Sequence, residues 1–260
     1  MMSFSVIHLL LGLLLLFVPC YLLYLYDRLT LPKVTLAVVR MMVQMTAMGA
    51  CLWALFRFDS VWLCLLWLVV LVVAAAFLLV SRVRIKSRIL FLPVSIAMFV
   101  SVLTVSLYLI YVVLYPAASL SARWFVPLTG VLMAHSLMTN IQALRTYYNC
   151  LQQDSLPYYT LLGNGASRPA ALAPYITRAL KSMVMPTIAN LSAMGLFVMP
   201  MLLSGMLLGG MNALEAVSVF VVLMLACIAT ALLSLILTLV LADRRSFNRQ
   251  GQLESVFTVD

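Results

Sequence analysis

The side chains that could do chemistry in this sequence are a few polar residues set inside long apolar stretches. Arg40 and Gln44 stand four positions apart, as do His135 and Thr139, and Asn140 follows the second pair directly. Residues four apart lie on one face of a helix. Polar groups inside a membrane usually face the interior of a helix bundle or a cavity. Both pairs could therefore line a path for a polar solute.

Each of these groups also has an ordinary structural interpretation. Arg40 could extend its side chain to the water interface if it lies one or two turns from a helix end. His135 could be a histidine whose hydrogen bonds are satisfied within the protein. Asn190 belongs to a smaller third polar set and is also a candidate for the path.

Two further patterns favour helix packing over chemistry. Thr230, Ser234 and Thr238 form a stripe with a spacing of four, which favours hydrogen bonds between helices. Gly205 and Gly209 form a GxxxG motif, which lets helices approach closely, including helices of two protomers.

Enzyme signatures are absent from the sequence. It contains no GxxxxGK[ST], HExxH or GxSxG motif, and it has only two histidines. The chain is therefore not expected to be an enzyme or to bind ATP through a P-loop. Its five cysteines form no CxxC pair, so a disulfide or zinc framework is not expected. Met41, Met45 and Met48 could suit a soft metal, but methionine also fills gaps, and a metal site stays unknown.

The elements that must position these residues are long apolar helices. A bilayer core needs about 20 mostly apolar residues for each spanning helix. The sequence is 65% hydrophobic and only 9% charged. We therefore predict an all-α, polytopic membrane protein with about seven transmembrane helices. The predicted spans cover residues 4–26, 34–56, 61–81, 89–114, 124–146, 184–210 and 215–241.

The net charge of +9 is concentrated in alternate loops. Basic residues cluster at 82–88, at 145–181 and after 243. Lys and Arg concentrate on the cytoplasmic side of membrane proteins, which places the N-terminus outside and the C-terminus inside. The anionic lipid surface accounts for this charge, and no nucleic-acid partner is needed.

The predicted organisation is one transmembrane domain over residues 1–245, followed by a short cytoplasmic tail at 246–260. A more polar segment at about 148–182 contains the turn Gly163-Asn164-Gly165. We expect one or two short helices there, broken by that turn, on the cytoplasmic face. Such a segment suits the docking of a partner.

Three ordered stretches resemble the FetB-type ABC permease family, which is linked to bacterial iron export and has plant relatives in aluminium tolerance. Arg40 to Gly49 is similar to the family's R-x-x-x-Q-x-x-x-x-G, and Pro127 to Asn140 is similar to its P-x-x-G-x-x-x-G-N-S-M-x. Arg178 to Gly205 resembles its R-x-L-x-P-x-x-N signature and the residues after it. This chain has Ala134-His135 in place of the family's Gly-Asn.

The resemblance implies the membrane-spanning permease subunit of an ABC transporter in the plasma (bacterial inner) membrane. It implies a homodimer that exports metal ions such as iron, with ATP and Mg²⁺ on a separate ATPase subunit and no cofactor on this chain. The substrate path would use Arg40, Gln44, His135, Asn140 and Asn190, and coupling to the ATPase would use Gly163, Gly165, Arg168 and Arg178.

Two alternatives remain. A stand-alone secondary carrier would be expected to carry acidic residues within its spans for ion coupling, and the interiors of the predicted spans have none. A non-transporting membrane partner would fit the loss of several polar positions of the family.

Overall fold

Every described element is a helix, which confirms the all-α fold class. The computed structural model describes residues 11–12, 14–26, 28, 30–83, 87–114, 121–194 and 200–246. A short 3₁₀ turn covers Leu14–Leu16, and a π-helical turn at Leu109–Val113 continues α4. The α-helices are α1 (Phe17–Tyr26), α2 (Leu31–Phe58), α3 (Val61–Val83), α4 (Ser87–Tyr108), α5 (Ala122–Gln153), α6 (Ser155–Gly163), α7 (Arg168–Ala193), α8 (Met201–Leu208) and α9 (Ala213–Ser246).

Four of the described helical stretches are long and apolar enough to cross a membrane: Leu31–Phe58, Val61–Val83, Leu90–Val113 and Ala213–Asp243. Leu14–Tyr26 is a shorter apolar stretch, and the rest of the predicted first span lies outside the described residues. Helices α5 and α7 have 32 and 26 residues but are more polar. The count of seven spans and their orientation therefore stay predictions.

The chain divides into two compact units, at residues 1–58 and 59–260. In the first unit, α1 packs against α2. Helix α2 has 28 residues, and Arg40 and Gln44 lie exposed along it.

The second unit is a helix bundle in which α5 and α9 hold the centre. Helix α9 packs on α4 and α5, and α5 also packs on α3 and α7. The buried face of α5 repeats at helical spacing, because residues three and four apart share one side. The fully buried core side chains of the second unit include Leu68, Leu79, Met98, Leu132 and Leu235.

Asp59 fixes the start of α5. Its carboxylate oxygen Oδ1 accepts a hydrogen bond of 2.6 Å from the Ala122 backbone N–H. A carboxylate at a helix N-terminus is stabilised by the unpaired N–H groups and the helix dipole. Asp59 has a φ of 37°, a left-handed conformation that Asp tolerates better than most residues.

The predicted sixth span, 184–210, is not a single helix. Helix α7 ends at Ala193, and α8 begins at Met201 after its N-cap Pro200. The C-cap residue of α7, Met194, has an extended backbone (φ −69°, ψ 137°), so the helix does not continue beyond it. Hydropathy alone does not reveal this break, because both halves are apolar.

For the docking segment, 148–182, the sequence predicts one or two short helices. The segment contains one short helix, α6, between the end of α5 and the start of α7. Helix α5 continues to Gln153, and only α6 is short. The predicted glycine turn follows α6, with Gly165 at a φ of 83°, a conformation that favours glycine. The remainder is the first half of the long helix α7.

Candidate functional site

A layer of buried polar side chains joins α5 to α9. The Asn140 Nδ2 group donates a hydrogen bond of 2.5 Å to Ser234 Oγ. Both side chains are fully buried, and they stand 94 positions apart in the chain. Thr230 and Thr238, one turn on either side of Ser234, are also fully buried. The stripe predicted to make hydrogen bonds between helices therefore does so at Ser234.

Two buried polar atoms in this layer make no hydrogen bond, namely Ser136 Oγ and Asn140 Oδ1. The hydroxyls of Thr230 and Thr238 are satisfied within α9, by the carbonyls of Ala226 and Ser234. An unpaired buried polar atom costs about 1–3 kcal/mol. The layer is therefore polar but neutral, and it is only partly satisfied.

A small cavity lies among α5, α7 and α9. Its volume is about 50 Å³, enough for a water-sized group. His135 and Thr139 line it from α5, and Met183 and Thr187 line it from α7. The hydroxyls of Thr139 and Thr187 donate to backbone carbonyls of their own helices. The remaining wall is apolar.

Asn190 is a predicted path residue of the second unit that does not line this cavity. Arg40 and Gln44 are exposed on α2 in the first unit. Asn190 is exposed on α7 in the second unit, two turns beyond Met183. Within the second unit, the structure therefore brings His135 to the cavity and Asn140 to the buried layer. The transport role of all five residues stays a prediction.

At one end of the second unit, Arg168 ties the start of α7 to the end of α9. Its Nη2 atom lies 2.9 Å from the Asp243 carbonyl oxygen and 3.2 Å from the Asp243 carboxylate oxygen Oδ1. Burial raises the pKa of the nearby Tyr158 hydroxyl, and the Arg168 charge opposes this shift. Arg168 thus holds a partly buried junction of three helices.

A second set of contacts at this end centres on Asp154, the residue between α5 and α6. The Arg178 Nη1 atom lies 2.8 Å from the Asp154 carboxylate. The Tyr175 hydroxyl donates a hydrogen bond of 2.5 Å to the Asp154 carbonyl. The Arg145 guanidinium donates to the Arg82 carbonyl near the end of α3. These contacts fix α5 and α7 on both sides of α6.

Helix α6 itself presents apolar side chains outward. Tyr158 is its one fully buried residue. Leu156 and Tyr159, three positions apart and so on one face, are 78% and 42% exposed. Gly163 ends the helix, and the Gly165 turn leads into α7. A rigidly anchored helix with an exposed apolar face is suited to a partner surface.

The glycine pair predicted to pack helices makes no such contact within the described chain. Gly205 lies on α8, and no described atom stands within 4 Å of where a Cβ would be. Gly209 follows α8, where a Cβ would meet backbone oxygens of Gly205 and Met206 at 3.3 Å. Packing between protomers through this pair stays a prediction.

Sequence reasoning missed several residues of these sites. Met183 and Thr187 look like ordinary apolar-helix residues, and only the fold brings them to His135. Asp154 and Asp243 could have been flagged because acidic residues are so scarce in this chain. Among the described residues, no group of three His, Cys, Asp or Glu side chains could hold a metal ion.

The apolar helices and the relatives of the chain define its class, a multi-pass, all-helical membrane protein. Residues 6–247 match the family described as Uncharacterised protein family UPF0014, and the chain belongs to that family. It is 27% identical over 214 residues to the UPF0014 membrane protein slr1647 of Synechocystis, covering 82% of this chain and 83% of that protein.

More distant relatives confirm the resemblance stated above. The chain is 25% identical over 139 residues to Protein ALUMINUM SENSITIVE 3 of Arabidopsis thaliana, covering 53% of this chain and 51% of that protein. It is 22% identical over 135 residues to the UPF0014 membrane protein YjkA of Bacillus subtilis, covering 52% and 54%. No solved structure matches the chain.

Proposed function

We propose that this chain is the membrane-spanning permease subunit of an ABC transporter in the bacterial inner membrane. It works as a homodimer and exports metal ions such as iron, driven by ATP hydrolysis on a separate ATPase subunit. The family membership and the name of the plant relative support a role in metal handling. The observation that carries the proposal is the exposed apolar face of α6, a helix held in place by contacts to its neighbours.

Helix α6 has the properties that a docking element needs. Its outer face exposes Leu156 and Tyr159, while the side chain of Tyr158 is fully buried and anchors the helix. Asp154, which joins α5 to α6, contacts α7. Arg168, at the start of α7, is paired with Asp243 on α9. A force applied to α6 would therefore be passed to the long helices. Coupling requires that the docked state differ in affinity between the ATP-bound and empty motor.

Copurification of the tagged chain from its native membrane tests this proposal. We expect recovery of an ATPase that carries a P-loop. Leu156→Ser should lower that recovery about tenfold, because a buried apolar anchor at an interface contributes about 1.5–3 kcal/mol. Leu214→Ser is the matched control, since Leu214 is 79% exposed at the start of α9 and Leu156 is 78% exposed.

The outcomes separate the three functions. An ATPase that is lost with Leu156→Ser and retained with Leu214→Ser supports the permease. A chain that transports alone in liposomes is a secondary carrier. A chain that neither recruits an ATPase nor transports is a non-transporting partner.

A further inference from the structure

Negative charge is absent from the interior of every predicted span of this chain. Of the seven acidic residues in the sequence, the one that belongs to a predicted span, Glu215, is the first residue of the last span. The seven are Asp27, Asp59, Asp154, Glu215, Asp243, Glu254 and Asp260. A cation that crosses a membrane through protein is normally met by acidic side chains or by rings of carbonyls. Beyond Glu215 at the very start of the last span, no carboxylate of this chain is available for that purpose inside the predicted spans.

The described acidic residues are placed at helix ends, where three of them already have partners. Asp59 accepts from the Ala122 N–H, Asp154 pairs with Arg178, and Asp243 pairs with Arg168. Glu215 lies in the first turn of α9, where a negative charge complements the helix dipole. These positions explain the acidic residues by local structure.

The neutral groups inside the bundle do not form a cation site. Hard cations take six or more oxygen ligands, usually with carboxylates among them, and soft metals take sets of thiolate, thioether or imidazole groups. The cavity between α5 and α7 offers one imidazole and one thioether, His135 and Met183. In the described part of the chain, no group of three His, Cys, Asp or Glu side chains could hold a metal ion.

The one charge set well inside a predicted span is positive. Arg40 follows Leu31 by nine positions, about 14 Å along α2 at the rise of a helix. It is exposed and makes no hydrogen bond or ion pair with a described residue. Arginine within a pore selects anions and binds carboxylate in a bidentate manner. Arg57 on the same helix differs, because it lies near the end and over the Trp53 ring at 5.2 Å.

We propose that the transported solute is an anion, in which the metal is enclosed by organic carboxylates, and that Arg40 binds this complex. The inference rests on the proposed function, because it takes a metal as the cargo. It differs in that the species that crosses is a negatively charged complex and not a free metal cation. A metal that enters as a negatively charged complex needs no ligands from the protein. It needs one fixed positive charge and a neutral path, and the sequence provides both.

Binding to the purified full-length chain in lipid nanodiscs tests this proposal without an ATPase. The probes are radiolabelled iron(III) with excess citrate, iron(II) with ascorbate and no citrate, and citrate alone. We expect binding of iron(III) citrate, weakened about tenfold or more by Arg40→Gln and partly restored by Arg40→Lys. Arg57→Gln is the matched control and should bind as the parent does.

Each result decides the matter. Iron bound together with citrate, and lost in Arg40→Gln but not in Arg57→Gln, supports the proposal. Equal or tighter binding of iron(II) without citrate overturns it, and so does binding of neither form. Competition by citrate alone on the parent chain supports anion recognition even if Arg40→Gln fails to fold. Failure to copurify an ATPase rejects the permease role and leaves this binding result unchanged.

Discussion

The interior of the second unit and its end near α6 both hold buried polar groups, but they satisfy them in different ways. In the interior, the groups are neutral, and Asn140 donates a hydrogen bond to Ser234. At the end near α6, the groups are charged, and Arg168 is paired with Asp243. The two regions are joined by the same helices, α5, α7 and α9.

This difference follows from the cost of removing charge from water. An unpaired charge in an apolar interior costs several kcal/mol or more, whereas a neutral amide or hydroxyl costs about 1–3 kcal/mol when unpaired. Breaking the hydrogen bond of the neutral layer therefore costs less than leaving one of the paired charges buried alone. The paired charges hold the end near α6 together. The charged end is where the proposed docking of an ATPase would act, and the neutral layer lies on the same helices.

The largest effect is expected from placing a charge in the neutral layer. Asn140→Asp should lower the free energy of unfolding by about 3 kcal/mol at neutral pH, because the carboxylate would be buried without a cationic partner. Burial raises the pKa of such a carboxyl above its unfolded value. The folded state then binds more protons, so stability should fall as pH rises above about 4 and recover in acid.

The control for this change lies on the same helix. Asn149→Asp introduces the same charge at an exposed position of α5 and should change stability by less than about 0.5 kcal/mol. Unfolding in detergent, followed by circular dichroism at several pH values, measures both. If the loss of unfolding free energy in Asn140→Asp did not depend on pH, the layer would not be one that excludes charged groups.

An intermediate effect is expected at the partly buried pair near α6. The side chains of Arg168 and Asp243 are 32% and 31% exposed, so solvent screens part of their attraction. Asp243→Asn should cost about 1 kcal/mol, since Arg168 keeps its hydrogen bond to the Asp243 carbonyl. A double-mutant cycle with Arg168→Gln measures the coupling. A coupling near zero would show that this pair does not hold the end near α6 together.

The sequence predicts the apolar helices because each is an apolar run of about 20 residues, the length a helix needs to cross the bilayer core. It also predicts the stripe at Ser234, because its spacing of four is a local property. The partner of Ser234 is not predictable in this way, since Asn140 lies 94 positions away and any helix could have supplied it.

The parts that sequence patterns miss depend on contacts between distant residues or on backbone geometry. The break between α7 and α8 lies within a run of apolar residues, so hydropathy treats both helices as one span. The pairing of Arg168 with Asp243 spans 75 positions, although each residue is noticeable for its charge. The cavity at His135 forms only because α7 lies beside α5, and no local sequence pattern predicts that two helices are neighbours.

The smallest effect is expected at the exposed pair of Arg178 and Asp154. Their side chains are 54% and 55% exposed, and such ion pairs are weakened by competition with water and by salt. Arg178→Gln should therefore shift the thermal midpoint slightly at low salt and not at all at high salt. The Tyr175 hydrogen bond to the Asp154 carbonyl should keep α6 in place. Thermal unfolding at two salt concentrations, beside Asp243→Asn, gives the ranking. A larger loss for Arg178→Gln than for Asp243→Asn would show that burial does not decide which charges hold this end.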